Sequence, residues 1–349
     1  MKNKKVGFSG EGKVVIFENE IADPGDNQIQ IEMRCSQISP GTELVGLSGK
    51  RKNPDPKAAT VFPGYSIAGI AVKCGKNTPF KTGDRVMAMG GGQAEHALYC
   101  NVSQNLCMKM PDTISFEQGS YVALALTSLQ AVRRLDFRLG EMHIVAGLGL
   151  VGQLCAQFLT AGGAKAIGLD VSPLRTRLAE ENGIFLTVAD LGEETKKRIH
   201  TASYGDGVDG GILCFGGDGT QTLKDIYKLM VTPPDTHTIG AIVVVGGCII
   251  NIQLAAALGN IDIRSSARTG PGYKDDIWEK GAAYPRGWVR WDTQRNMQYF
   301  GYLLEKKLMN LDNLTTHRYD LEKAPEVYEK LLAGAEKEML GVLFTANPK

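Results

Sequence analysis

The chain has 349 residues, with 39 Lys+Arg against 38 Asp+Glu and 43% apolar side chains. That length exceeds one average domain and points to two, while the balanced charge and the lack of a basic run exclude a nucleic-acid-binding surface. No stretch reaches the roughly 18 apolar residues of a membrane span, the basic start Met1-Lys2-Asn3-Lys4-Lys5 has no apolar segment behind it to act as a signal peptide, and the seven scattered cysteines, odd in number and without C-x-x-C spacing, read as reduced thiols of a cytoplasmic protein.

Up to about residue 118 the sequence predicts short strands between turn signals: Lys13–Phe17, the turn Asp23-Pro24-Gly25-Asp26, the alternating Gln28–Met33, Ile67–Lys73, and a turn at Lys81-Thr82-Gly83-Asp84. This is a β-rich domain, expected as a distorted barrel. From Phe116 the texture changes. Glu117–Leu135 predicts a helix, His143–Ala146 a strand, Gln153–Thr160 a helix, Ala166–Asp170 a strand, and Pro173–Asn182 a helix capped by Ser172 and stopped by Gly183. Strands at Ile184–Val188, Asp209–Phe215 and Ile239–Val245, with a helix over Thr220–Met230, extend the alternation, which implies a parallel, doubly wound sheet. Beyond residue 270 the pattern is left again. Tyr273–Trp291 is rich in aromatic and charged residues, Thr293–Lys307 and Ala324–Ala335 predict helices, and Met339–Phe344 predicts a strand. The tail is assigned back to the first domain, giving domains 1–123 with 270–349, and 124–269.

The run His143-Ile144-Val145-Ala146-Gly147-Leu148-Gly149-Leu150-Val151-Gly152 is a strand ending in G-x-G-x-x-G and opening a helix, and the next strand ends in Asp170. Together these are the dinucleotide-binding fingerprint of a Rossmann unit. Gly147 serves the tight turn, Gly149 lets the backbone approach a pyrophosphate, and Gly152 lets helix and strand pack closely. Leu150 and Val151 present first-turn N–H groups to the phosphates. Asp170, accepting from the ribose hydroxyls, favours NAD(H); Arg175 keeps NADP(H) as the second choice. Thr127 is expected to face the nicotinamide, and Cys214, Phe215, Gly246, Gly247, Arg268 and Thr269 lie at or after the carboxyl ends of strands, where ligands bind in open α/β sheets.

Over essentially its whole length the chain resembles the medium-chain dehydrogenase/reductase superfamily. The resemblance is carried by Gly64 with Ala68-Gly69-Ile70-Ala71-Val72, Lys81-x-Gly83-Asp84-Arg85-Val86, Gly92-x-Ala94-Glu95-His96, the helix through Thr127, the glycine turn, and Thr316–Leu321 with Ala324-Pro325. It implies an α/β protein in which a Rossmann doubly wound parallel sheet is inserted into a GroES-like β-rich substrate domain, with the reaction in the cleft between domains and a homodimer or homotetramer in solution. Zinc members carry Cys-Gly-Ser/Thr-Asp where this chain has Pro40-Gly41-Thr42-Glu43, Gly-His-Glu where it has Gly64-Tyr65-Ser66, and a third ligand near Ala123. Proline and alanine cannot bind zinc and a neutral tyrosine is a poor ligand, so no metal site is expected and the chain resembles the zinc-free branch. The segments Ile38–Leu44 and Thr269–Trp291 further resemble a subgroup linked to carbohydrate or cyclitol metabolism.

Without a metal, side chains must polarise a carbonyl and move a proton. The resemblance places Thr42 as a proton-relay hydroxyl and Gly41 and Thr42 beside the cofactor; a turn threonine is the plainer alternative. Glu43 is a base or a local structural partner. Tyr65 donates a phenolic hydrogen bond or simply packs, and His96 is a shuttle or a buried structural histidine. Tyr273, Tyr284 and Arg290 belong to an aromatic and cationic segment suited to a polyhydroxylated substrate, or to a lid or interface. The expected activity is hydride transfer between nicotinamide and a secondary alcohol or ketone of a polar small molecule. Reduction of an enone or quinone is the alternative, and a non-catalytic NAD(H) sensor the second.

Overall fold

The structure, a computed structural model, describes residues 1–234, 237–334 and 338–346. The chain forms two compact units, Met1–Leu126 with Thr269–Lys349, and Thr127–Arg268.

In the first unit Lys2–Phe8 and Val14–Glu20 form an antiparallel hairpin. A seven-stranded sheet follows the order Thr315–Asp320, Gly341–Thr345, Gln28–Gln37, Ser66–Cys74, Arg85–Met89, Cys107–Lys109, with Tyr99–Ser103 also paired to Gln28–Gln37. The expected barrel thus resolves into a mixed sheet plus a hairpin, in which only the first pair is parallel. Ile29, Ile31 and Met33 on the central strand are fully buried, because neighbouring strands and helices cover both of its faces. The C-terminal strand reaches this sheet, and the helix before it spans Ala324–Ala333; Ala335, the expected end of that helix, lies outside the described residues.

One element differs from the sequence expectation. Residues read as a loop form the helix Pro40–Lys52. Gly41, Gly46 and Gly49 each disfavour a helix interior by about 1 kcal/mol, which hides it from propensity. Tertiary and terminal contacts stabilise it instead: Pro40 at its start, the Glu43 carboxylate accepting the Ser39 N–H at 2.9 Å, buried Leu47, and Lys50, Arg51 and Lys52 at the negative end of the helix dipole. The expected helix Glu117–Leu135 is interrupted, with Phe116–Gly119 closed by a Ser115/Gln118 capping box and Val122–Leu135 starting afresh.

The second unit is a six-stranded parallel sheet in the order Leu186–Val188, Lys165–Leu169, Met142–Ala146, Gly210–Leu213, Ile239–Val245, Asn260–Ser266. Numbered within the unit this is 3-2-1-4-5-6, so the order reverses between Met142–Ala146 and Gly210–Leu213. Ile144, Ile167, Leu213 and Ile242 from the strands and Ile199 and Ile226 from the helices form its core. The apolar run to Ile252, read as one strand, stops at Val245, where Gly246 turns the chain with a φ of +77° before the short strand Cys248–Ile249. Among the described residues no helix is long and apolar enough to cross a membrane.

Candidate active site

The glycine turn sits where the strand order reverses. Gly147 has a φ of +87°, a conformation L side chains rarely adopt, and its N–H donates to the Leu169 carbonyl at 2.8 Å. A Cβ on Gly152 would lie 1.8 Å from the Gly147 oxygen, so this glycine is required for the helix to meet the turn. A Cβ on Gly149 would meet nothing within 4 Å. That open space borders a cavity of about 620 Å³ lined by Gly147, Gly149, Asp170, Arg175, Cys214 and Phe215 among others.

The helix Leu150–Ala161 begins at Gly149, and its first N–H groups have no partner within the helix. Val151 also accepts the Ser128 hydroxyl at 3.0 Å through its carbonyl, which ties the helix start to the neighbouring helix. These features fit a dinucleotide: room at Gly149 and helix N–H groups for phosphate, and Asp170 for a ribose. Asp170, 8% exposed, accepts the Leu148 and Ser172 N–H groups at 2.7 and 2.8 Å and an Arg175 guanidinium N–H at 3.3 Å. A carboxylate has about four acceptor positions, so capacity remains.

In the first unit, the Tyr65 phenol is hydrogen-bonded by the side chains of Ser39 and Thr42, at the exposed start of helix Pro40–Lys52. Burial pushes this phenol above its ordinary value; the two hydroxyls oppose the shift, and Glu43 and Tyr273 add to it. The positions that hold zinc in other members do not fit a metal here. Pro40 is the first residue of the helix, and the Ala123 N–H donates at 2.9 Å to the Ser66 hydroxyl, which donates at 2.6 Å to the Ser120 carbonyl. Among the described residues no group of three His, Cys, Asp or Glu side chains could hold a metal ion.

Other candidates have different surroundings from those expected. Glu43 and His96 are 5% and 0% exposed and bond each other at 3.1 Å, with Ser36 on the other ring nitrogen and Tyr328 on the carboxylate. Burial leaves neither a path to a substrate, which removes them from direct contact. Tyr273 accepts the Gly91 N–H at 2.9 Å, and Tyr284 donates to Asp275 at 2.5 Å while stacking on Trp278. Both hydroxyls are therefore engaged in holding their own segment. Arg290 is exposed, its carbonyl taken by Arg295. Thr269, 2% exposed, bonds Thr293 and Asn296 within the first unit, a core role rather than a cofactor contact. Arg268 is exposed at a φ of +62°. Gly41 is exposed. Thr127 lies in Val122–Leu135, and Gly246 and Gly247 follow the strand Ile239–Val245, with the Gly247 carbonyl accepting the Gly217 N–H at 3.1 Å.

Sequence reasoning missed Ser39, Tyr328, Asp190 and Asp225. Asp190 and Asp225 line the cavity. Asp190 follows the strand Leu186–Val188 as Asp170 follows its own, a signal that was readable. Tyr328 is 285 residues from Glu43, and nothing in the sequence pairs them.

No family model matches the chain. Sorbitol dehydrogenase from Mus musculus is 25% identical over 368 residues, covering 95% of this chain and 94% of that protein. Among solved structures, 2R,3R-butanediol dehydrogenase from Bacillus subtilis has a TM-score of 0.76 at 19% identity, covering 99% of this chain and 100% of the other. A zinc-binding dehydrogenase from Sinorhizobium meliloti 1021, bound to NADP, has a TM-score of 0.77 at 19% identity over 99% of each chain. At that identity the structural likeness is one of fold.

Proposed function

The chain belongs to the medium-chain dehydrogenase/reductase superfamily, and we propose that it is an NAD(H)-dependent oxidoreductase interconverting a secondary alcohol and a ketone on a polar, polyol-like substrate without zinc. The observation that carries the zinc-free part is the Tyr65 cluster: where zinc members have a ligand, this chain has a phenol held by two hydroxyls. A nicotinamide supplies or accepts the hydride. The protein's own groups do the rest. The start of helix Leu150–Ala161 binds phosphate, Asp170 accepts from the ribose, and Tyr65 donates a hydrogen bond to the carbonyl oxygen as charge develops there. The likeness to sorbitol and butanediol dehydrogenases supports a polyol or vicinal diol.

The test is turnover by chelator-treated protein against polyols, cyclitols and diols with NAD and NADP, and against enones and quinones with NADH and NADPH. NAD-linked oxidation of a polyol or diol that survives chelation is the expected result. Activity that disappears on chelation and returns only with zinc overturns the zinc-free part; enone reduction with NADPH as the dominant activity overturns the substrate class. Dinucleotide binding with no turnover makes the protein a sensor. The same reading carries a cytoplasmic homodimer or homotetramer, checked by light scattering.

A further inference from the structure

Polar side chains from four segments meet inside the first unit: Ser36 in Gln28–Gln37, Glu43 in Pro40–Lys52, His96 in the turn ahead of Tyr99–Ser103, and Tyr328 in Ala324–Ala333. None is more than 5% exposed. The hydrogen bonds assign their roles. Glu43 accepts from the Ser39 N–H at 2.9 Å on one oxygen, and from Tyr328 and the His96 ring at 3.1 Å on the other. Three donors on two oxygens suit a carboxylate, which only accepts. With the His96 Nε2–H given to Glu43, Nδ1 is left to accept from Ser36. A buried charge with every need met is expensive to disrupt, since removing one partner strands the other.

This network reaches the candidate site through backbone. The Ser39 carbonyl accepts the Thr42 and Glu43 N–H groups at 3.1 and 3.0 Å, and its N–H is bound by the Glu43 carboxylate. The same turn carries the two hydroxyls that hold Tyr65.

We propose that Glu43 is a positioning residue for Tyr65: fixed by His96 and Tyr328, it holds the Ser39–Thr42 turn in place and sets a permanent negative charge beside the phenol, which makes Tyr65 a hydrogen donor and adapts the site to carbonyl reduction. The titratable groups that face Tyr65 are Glu43, Tyr273 and Tyr328, and none of them is a cation that would favour a phenolate. In reduction the carbonyl carbon takes the hydride from reduced nicotinamide, the oxygen takes the Tyr65 proton, and the phenol is restored from water by way of the exposed Thr42.

The inference rests on the reading of Tyr65 as proton donor, and its test needs no substrate, so the two can fail separately. Tyrosinate absorbance is titrated in the intact protein, with Tyr65→Phe as the reference that isolates the Tyr65 signal. Glu43→Gln is expected to move that titration down by roughly one pH unit or more, the effect of a neighbouring charge. The variant can still satisfy the network: the amide oxygen takes the Ser39 N–H, and the amide nitrogen donates to Tyr328 and, after a tautomer change, to His96. Tyr328→Phe keeps the charge and is expected to lower Tm while leaving the titration in place. Thr42→Val, on the exposed side, removes a donor to the phenolate and is expected to move it up. An unmoved titration in Glu43→Gln assigns Glu43 to structure alone and overturns the proposal. Should that variant fail to fold, an unmoved titration in Thr42→Val, or a downward one in Tyr328→Phe, overturns it instead. In an active enzyme, the alkaline limb of the reduction profile follows the same shifts, which a purely structural role would not produce.

Discussion

Alanine at Gly149 and alanine at Gly152 should separate cofactor binding from folding, although the two positions are three residues apart. At Gly152 the new Cβ lies 1.8 Å from the Gly147 oxygen and 2.8 Å from its carbon, against 3.4 Å for ordinary contact, so helix and turn must part by about 1.6 Å. Both sides are backbone, and the turn is tied to Leu169 at 2.8 Å. The cost belongs at or above the top of the overpacking range of about 1–3 kcal/mol, a fall of several degrees in Tm. At Gly149 the Cβ meets nothing within 4 Å, and the backbone, with a φ of −62° and a ψ of −177°, is open to alanine. Losing a good N-cap residue and restricting the unfolded chain are opposing effects of about 1 kcal/mol or less, so the stability of the free protein stays nearly unchanged. A pyrophosphate needs that same space, and affinity should fall about tenfold or more, roughly 1.4 kcal/mol. Calorimetry of the free protein gives the first quantity and NADH fluorescence titration the second. Undiminished NADH affinity in Gly149→Ala would show that the phosphates do not cross this turn and would sink the cofactor assignment.

Asp170→Ala removes a charged acceptor worth about 1.5–3 kcal/mol, so NAD affinity should drop roughly ten- to hundredfold while NADP affinity holds or improves; equal losses in paired titrations would deny Asp170 a selective role. Tyr65→Phe should lower kcat by about 10²-fold or more with a smaller change in KM, and steady-state rates near wild type would remove Tyr65 from the chemistry. Burial holds His143, 2% exposed, below its ordinary value, with Glu141 and Asp209 opposing. The unfolded chain therefore takes up the proton more readily than the folded one. Its contribution to stability is complete above about pH 6.5 and is lost as pH falls through the lower folded value. Tm measured from pH 7 to 5 should decline less steeply in His143→Gln than in wild type, and parallel slopes would refute the assignment.

The dinucleotide half of the site was legible because its requirements are local. A strand, three glycines, a helix start and an acid at the next strand end are consecutive in the chain, and Gly147, Gly149 and Asp170 line one cavity as that order implies. The missing zinc ligands were legible for the same reason, since Pro40 and Ala123 have no donor atom wherever they are placed. The substrate-side chemistry was not. Glu43, His96, Tyr273 and Tyr284 are residues of catalytic type, and composition cannot say whether their polar atoms remain open. Their partners Tyr328, Ser36, Gly91 and Asp275 decide that, and those reached from Glu43 and Tyr273 come from remote segments. Helix Pro40–Lys52 was hidden likewise, because three glycines weaken its local signal while its capping carboxylate is held from strand, turn and C-terminal helix. The sequence by itself determined the alternation of strands and helices, the phosphate turn and the absent ligands, all set by neighbours along the chain or by the atoms a side chain lacks. Only the tertiary structure decided which polar groups remain available, because burial and hydrogen-bond partnership are properties of what packs against a residue.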